Sequence, residues 1–133
     1  MPLILEEIAS PQQKQTIERY FQTFNNGDFE ATAALFSETG QMKPPFEELI
    51  EGTEAISAYL HREAEGMQAY PQEVAGEQAD DRSQITVIGQ VKALVFKVNT
   101  AWIFKINATG QIDFVRIKLL ASLQELLPLR PQS

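Results

Sequence analysis

The sequence has no cysteine and a single histidine, His61. A chain without cysteine forms no disulfide, carries no thiolate nucleophile and offers no thiolate ligand to a metal. A lone histidine without a partner motif makes a poor metal site and a poor catalytic dyad. His61 precedes the polar pair Arg62-Glu63, so we expect it at the surface of a helix. These features argue against a metal site and point to no catalytic residue.

Positive charge is also scarce. Lysine and arginine number 11 against 18 aspartates and glutamates, which leaves a formal net charge of −7. A nucleic-acid partner requires a basic face that meets phosphates, so this balance argues against one. The start MPLILEE is too short and too acidic for a secretory signal, and no apolar run is long enough to span a bilayer. We expect a soluble, cytoplasmic protein, for which a transient membrane contact through apolar side chains stays open.

The first half of the sequence has helical patterns. Ser10, Pro11 and Gln13 form a capping-box start, and Asn25-Asn26-Gly27 ends the helix. Its apolar stripe, at spacings of three and four, is Ile17, Tyr20, Phe21 and Phe24.

Two further helices and a strand are predicted before residue 70. Asp28 caps a second short helix, whose apolar side is Phe29, Ala33, Leu35 and Phe36. Residues 40–46 form a strand or a loop broken by Pro44-Pro45. Thr53 caps a third helix, which ends near Gly66.

After Tyr70 the period changes to two, which is typical of strands. One face of the middle strand carries Phe96, Val98, Thr100, Trp102, Phe104 and Ile106. One face of the last strand carries Val115, Ile117 and Leu119, and residues 107–110 form the turn between the two strands. Residues 122–127 are predicted as a short helix.

Helices followed by long strands predict a single α+β domain over residues 1–133, with an extension at 1–10 and a C-terminal helix and tail at 122–133. We expect a curved, mostly antiparallel sheet with helices packed on its concave face. The two layers would enclose a cone-shaped apolar cavity.

Tyr20 and Trp102 each combine an apolar ring with one hydrogen-bond donor at its edge. If both face one cavity, they can hold a long apolar ligand with a polar end group. Burial habits alone favour a plainer interpretation, in which both residues are core anchors.

Several runs together resemble the C-terminal domain of the orange carotenoid proteins, within the nuclear transport factor 2/ketosteroid isomerase-like superfamily. The resemblance covers roughly residues 14–129. The runs are Asn26-Gly27-Asp28-Phe29, Gly40-Gln41-Met42-Lys43-Pro44-Pro45-Phe46, Ile50-Glu51-Gly52, Asn99-Thr100-Ala101-Trp102 and the ending Phe114 to Ser122 with Glu125-Leu126-Leu127.

The resemblance implies a carrier that binds a ketocarotenoid of the canthaxanthin or echinenone type. It also implies a homodimer that shares one pigment, transfer to helical carotenoid proteins, and a role in photoprotection by quenching singlet oxygen. Tyr20 and Trp102 match the donors to the pigment's keto oxygen. Phe36, Ile117 and Leu119 match the tunnel wall, and Glu63 matches a carboxylate that pairs with the helical partner.

The chain departs from the family pattern in places. The segment between Val91 and Asn99 is shorter, and Arg116 and Lys118 replace a small residue and an acid on the face opposite Ile117. These changes affect the surface expected to meet a helical partner.

Two rival hypotheses stay open. An enzyme of the ketosteroid isomerase type would use a buried acid or histidine as its general base, and no residue near Tyr20 or Trp102 is an obvious candidate. A dimeric interaction module would have the same fold with an incidental cavity.

Overall fold

The computed structural model of the chain describes residues 10–74 and 84–120. In chain order the elements are α1 (Pro11–Asn25), α2 (Phe29–Ala33), β1 (Phe36–Lys43), β2 (Ile50–Glu51), α3 (Thr53–Glu63), β3 (Gln68–Val74), β4 (Gln84–Ala93), β5 (Phe96–Ile106) and β6 (Ile112–Leu120). Apart from Ser10, the predicted extension at 1–10 and the predicted helix and tail at 122–133 lie outside the described residues.

The six strands form one curved, unclosed sheet in the order β2-β1-β6-β5-β4-β3. Neighbouring strands are antiparallel except for β1 and β6, which run parallel. The main core lies between one face of this sheet and the helices. A smaller cluster of Ile88, Ala101 and Leu120 is buried on the opposite face of β4, β5 and β6. The predicted α+β fold is confirmed.

The predicted helix starts are confirmed at α1 and α2 and are wrong at α3. Ser10 Oγ accepts from the Gln13 amide at 3.2 Å, and the Gln13 side chain accepts from the Ser10 amide at 2.9 Å. The Asp28 carboxylate accepts from the Ala31 amide at 3.3 Å. At α3 the cap position is Gly52 rather than Thr53. Thr53 is already the first residue of the helix, so the boundary falls one residue earlier than predicted. Gly52 has a φ of 96°, which a β-branched residue rarely adopts.

Three strand assignments need correction, the first being the short strand β2, which was not predicted. Helix α2 ends at Ala33, and Phe36 begins β1, where its partner is Ile112 of β6. The prediction that Phe36 lies on the helix is wrong: its spacing of three residues from Ala33 fits a helical face, but the helix has already ended. Strand β3 was not predicted, since this edge strand contains Pro71, and Ala69 is its one fully buried residue, so its apolar residues show no clear alternation.

Helix α1 is hydrogen-bonded to the sheet near both of its ends. Near the N-terminus, Thr16 Oγ1 donates to the carbonyl of Gly110, in the turn between β5 and β6. At the C-terminus, Asn25 Nδ2 donates to the Ala69 carbonyl at 2.9 Å and its Oδ1 accepts from the Ala69 amide at 2.7 Å. These contacts fix the position of the helix across the sheet, and with it the residues between Thr16 and Asn25.

Gly89 lets the edge strand β3 approach closely. A Cβ atom at this position would lie 2.1 Å from the Tyr70 carbonyl oxygen and 2.8 Å from the Pro71 Cα. The pairing of β3 with β4 shifts register between Pro71 and Glu73, beside this contact. Glycine and an adjacent bulge together favour a bend in the sheet.

We predict that Asn25→Ala lowers the free energy of unfolding by about 2 kcal/mol, because it removes both hydrogen bonds to Ala69. Urea denaturation followed by circular dichroism measures the change. Asn26→Ala is the matched control, since the Asn26 side chain is exposed and lies outside this contact. Equal losses in the two variants would show that the contact does not hold the helix.

Candidate ligand-binding site

Tyr20 and Trp102 belong to one cluster of aromatic rings between α1, α2 and the sheet. The Tyr20 ring meets Phe104 edge-on at 5.1 Å, and Trp102 meets Phe21 edge-on at 4.8 Å. Phe21 also contacts Tyr20 at 5.3 Å and therefore links the two predicted donors. We call this set the aromatic cluster: Tyr20, Phe21, Phe24, Phe29, Trp102 and Phe104.

The Tyr20 hydroxyl is buried without a hydrogen-bond partner, and this holds across all the described residues. Its side chain is 1% exposed. Burial, and then the nearby Tyr59, raise the pKa of the Tyr20 phenol above its usual value, so the group stays a neutral donor. A buried polar group left unpaired costs about 1–3 kcal/mol. A ligand atom that accepts this hydrogen bond would recover that cost.

Trp102 lies on β5 with its side chain in the main core. In the sheet register, its neighbours are Val87 on β4 and Ile117 on β6. Because cross-strand partners share a face, Ile117 lies beside Trp102 on the side that packs against α1. The register thus brings together two residues that the sequence assigned only to the apolar faces of separate strands.

Exposure increases along β6 on the same face. Val115 is fully buried, Ile117 is half-buried and Leu119 is 43% exposed. Leu119 pairs with Thr100 of β5, two residues from Trp102. This apolar row therefore leads from the aromatic cluster to solvent at the end of the sheet where β6 ends.

The remaining predicted site residues, Phe36 and Glu63, lie on β1 and α3. Phe36 is buried in the main core at the opposite end of β6, beside Ile112. Glu63 is exposed at the end of α3, where its carboxylate pairs with the adjacent Arg62 at 3.1 Å. His61 is exposed as expected, and its ring contacts Phe29 at 5.3 Å. A role for Phe36 or Glu63 stays a prediction.

Acids and bases are rare in this core. Apart from Tyr20, the buried polar residues within 10–74 and 84–120 are four threonines: Thr16, Thr32, Thr86 and Thr100. Asp113 is exposed and accepts hydrogen bonds from Ser37 at 2.9 Å and Asn107 at 3.1 Å. The same part of the chain contains no cluster of three potential metal ligands and no helix of the length and apolarity that crossing a bilayer requires.

A separate open groove of about 550 Å³ lies between α2 and α3. Small and acidic residues line it, with Glu30 and Glu54 on its two sides. Carboxylates beside such a groove disfavour a long apolar ligand. The groove is therefore a weaker candidate site than the aromatic cluster.

Phe21 was predicted as part of the apolar stripe of α1, and its contact with both Tyr20 and Trp102 was not predicted. Helical spacing shows that Phe21 and Tyr20 are neighbours on α1, but it does not show which strand faces them. The sequence feature that could have indicated this contact is the adjacency of Tyr20 and Phe21 in one apolar stripe.

We predict that Tyr20→Phe raises the stability of the pigment-free protein by about 1 kcal/mol at neutral pH, because it removes an unpaired buried hydroxyl. The variant should also change the alkaline limb of the stability curve. Folding favours the neutral phenol, so this contribution is complete below about pH 10 and is lost as the pH rises towards the raised pKa of Tyr20. The wild type should therefore lose more stability than Tyr20→Phe above that pH.

Urea titrations at neutral and alkaline pH measure both effects. Tyr70→Phe is the control, because Tyr70 is 44% exposed on an edge strand. A destabilised Tyr20→Phe at neutral pH would contradict the unpaired state of the hydroxyl.

Known proteins share this fold and much of this sequence. The model of the SnoaL-like domain matches residues 17–114. The orange carotenoid-binding protein of Synechocystis sp. is 36% identical over 117 residues, which cover 84% of this chain and 37% of that protein. The structure of the Anabaena (Nostoc) sp. orange carotenoid protein binding canthaxanthin has a TM-score of 0.76 at 37% identity, over 86% of this chain and 38% of that chain.

A more distant structure is that of SalBIII, an epoxide hydrolase/cyclase-like enzyme in pyran ring formation in the polyether salinomycin. It has a TM-score of 0.69 at 21% identity, over 83% of this chain and 92% of that chain, and shows the fold alone. The chain spans little more than a third of the two orange carotenoid proteins. It belongs to the SnoaL-like family, has the nuclear transport factor 2-like fold, and is a homologue of the C-terminal domain of the orange carotenoid protein.

Proposed function

We propose that this chain binds a ketocarotenoid and that Tyr20 donates a hydrogen bond to the pigment's keto oxygen. The observation that carries the proposal is the buried, unpaired Tyr20 hydroxyl among apolar rings. A carbonyl at the end of a long apolar ligand is a suitable acceptor for such a group. Homology to orange carotenoid proteins supports the same ligand class, since one of them is described as binding canthaxanthin.

Trp102 is the second donor in this proposal. Its ring lies in the same aromatic cluster, linked to Tyr20 through Phe21. Two donors on one carbonyl fix the depth of a ligand that otherwise makes only apolar contacts. When the pigment is bound, its conjugated chain absorbs visible light, and hydrogen bonds to the keto oxygen shift that band to the red.

The apolar row on β6 forms one wall of the proposed tunnel. Ile117 lies beside Trp102 and Leu119 lies further towards solvent, so a polyene held at Tyr20 would extend in this direction. Phe36, in the main core beside Ile112 of β6, is proposed as a further residue of the tunnel wall. Removing the polyene from water stabilises the complex by roughly 25 cal/mol per Å² of apolar surface.

Entry of the pigment requires the aromatic cluster to repack. Tyr20 is 1% exposed and its ring is in contact with Phe21, Phe24 and Phe104. Phe21 touches both donors, so its rotation is the simplest movement that gives a ligand access to them. Rotation of a buried ring is slower than diffusion of the pigment to the protein surface. We therefore expect ring rotation to limit the rate of pigment uptake.

A homodimer follows from the length of the ligand. A polyene that reaches beyond Leu119 leaves apolar surface in water, and a second copy placed over the same end of the sheet would cover it. In the carrier role we propose, the dimer passes pigment to helical carotenoid proteins in the cytoplasm and contributes to photoprotection. Glu63 is proposed as the carboxylate that meets such a partner.

The geometry favours a carrier over an isomerase-type enzyme. General acid–base chemistry needs a carboxylate or imidazole within reach of the reacting group. The rings that contact Tyr20 are apolar. The other buried polar side chains among the described residues are threonines, which are neither carboxylates nor imidazoles. A tyrosine and a tryptophan supply donors but no base at neutral pH.

We predict that the chain, purified from cells that make canthaxanthin or echinenone, is coloured and elutes as a dimer. Absorption recorded in line with size-exclusion chromatography tests both points. The band should lie to the red of the free pigment. A colourless protein under these conditions would contradict pigment binding and would bring the interaction-module and enzyme hypotheses forward.

We further predict that Tyr20→Phe and Trp102→Phe each lower pigment affinity about fivefold, the equivalent of one neutral hydrogen bond. Each variant should also reduce the red shift, and the double variant should lose most of it. Tyr70→Phe should leave both quantities unchanged. If Tyr20→Phe, Trp102→Phe and the double variant all bind and absorb like the wild type, the keto oxygen does not lie at Tyr20 and Trp102.

A further inference from the structure

The turn between β4 and β5 exposes three consecutive apolar side chains. Leu94 is 86% exposed, Val95 is 85% exposed and Phe96 is 66% exposed. We call these residues the hairpin tip. Three neighbouring exposed apolar residues form a contiguous patch, and such patches mark surfaces that contact another molecule.

The backbone of the hairpin tip is poorly suited to its residues. Ala93 pairs with Phe96, so Leu94 and Val95 form a two-residue turn. Leu94 has a φ of 58°, in the left-handed region, where such turns prefer glycine or asparagine. A branched apolar side chain at this position therefore does not serve the turn, and it points to a function outside the fold.

The hairpin tip is continuous with the proposed pigment site. Phe96, Val98, Thr100 and Trp102 alternate along one face of β5, and Leu119 of β6 lies opposite Thr100 on that face. Trp102 lies six residue positions beyond Phe96 on β5, a distance of about 20 Å at the usual rise per residue. The hairpin tip is thus the outer end of the face of β5 that begins at Trp102 in the aromatic cluster.

Positive charge flanks the hairpin tip. Lys92 and Lys97 are exposed and stand directly opposite each other on β4 and β5. Like charges in this position destabilise a hairpin. Arg116 and Lys118 of β6 are exposed on the same outer face. Neither β4 nor β5 contains an acidic residue; the acids of the adjoining strands are Glu73, beside Ile88, and Asp113, near the start of β6. This cationic face stands out in a chain of net charge −7.

We propose that the hairpin tip docks this protein on the surface of an anionic lipid bilayer. Leu94, Val95 and Phe96 enter the boundary between headgroups and acyl chains, about 5–10 Å deep. Lys92 and Lys97 meet the acidic headgroups. The proposal builds on the proposed function, because a bilayer is where a free carotenoid dissolves, but the lipid contact itself needs no pigment.

The proposed homodimer covers the apolar surface at Leu119 of β6, and charge favours the bilayer over a second copy of the chain at the hairpin tip itself. A two-fold contact between tips would bring Lys92 and Lys97 of both copies together, and like charges at an interface oppose binding. An anionic surface attracts the same lysines. Each lysine near such a surface strengthens binding about fivefold at physiological ionic strength.

The test uses the pigment-free full chain with sucrose-loaded vesicles that are sedimented. Phosphatidylcholine mixed with phosphatidylglycerol should bind the protein, and phosphatidylcholine alone should bind it more than tenfold less tightly. High salt should release most of the bound protein, because the lysine contribution is screened. Absence of binding to the anionic vesicles would overturn the proposal.

Two variants remove the contact while retaining the fold. Leu94→Gly with Val95→Asn places preferred residues in the turn, so the melting temperature should stay equal or rise while vesicle affinity falls at least tenfold. Lys97→Glu removes the like-charge pair with Lys92 and should lower affinity at least tenfold. The control is Arg19→Glu, on the exposed surface of α1, which changes the net charge by the same amount as Lys97→Glu. Its vesicle affinity should stay within twofold of wild type.

The location of the contact is tested by Val95→Trp. Its emission should move to the blue on anionic vesicles and be quenched by brominated lipids, above the constant signal of the buried Trp102. If the turn variant bound vesicles normally and instead separated dimers into monomers, the tip would be a self-association surface and the proposal would fail. Vesicle binding by a chain that stays colourless in pigment-producing cells would support docking and contradict only the proposed function.

Discussion

Hydrogen bonds near the two ends of helix α1 fix its position across the sheet. The aromatic cluster depends on this position of the helix. Thr16 reaches the turn after β5, and Asn25 binds both backbone groups of Ala69 on the far edge of the sheet. Apolar contacts alone are non-directional, so they would let the helix slide or rotate over the same face. The hydrogen bonds remove that freedom and set Tyr20 against Phe104.

The consequence of this placement is a polar group without a polar neighbour. The rings of Phe21, Phe24 and Phe104 surround Tyr20 closely enough to exclude water, and burial raises the pKa of its phenol. A packed core normally avoids such a group. Here the cost to stability is offset only if a ligand accepts the hydrogen bond, which is why stability and binding are expected to respond in opposite directions to loss of the hydroxyl.

The sheet adds a direction to the site. On the face towards α1, exposure increases from Val115 to Leu119 along β6, and the same end of the sheet carries the apolar turn of β4 and β5. The opposite face of these strands carries exposed cations in an otherwise acidic protein. A closed end with hydrogen-bond donors, an open apolar end and a basic flank together suit a long apolar ligand that is exchanged with an anionic lipid phase.

The sequence by itself determined the features that depend on neighbours along the chain. The capping box at Ser10, the apolar stripe through Tyr20 and the alternation around Trp102 and Ile117 were all predictable, because helical and strand periods are local properties. Family resemblance added a ligand class and the role of the two donors. Only the tertiary structure decided which elements meet: that Phe36 begins a strand parallel to β6, that β3 forms an edge bent around Gly89, and that Phe21 joins Tyr20 to Trp102. The unpaired hydroxyl of Tyr20 belongs to this second group, since whether a buried donor finds a partner depends on residues far away in sequence, whose approach is set by packing and sheet register.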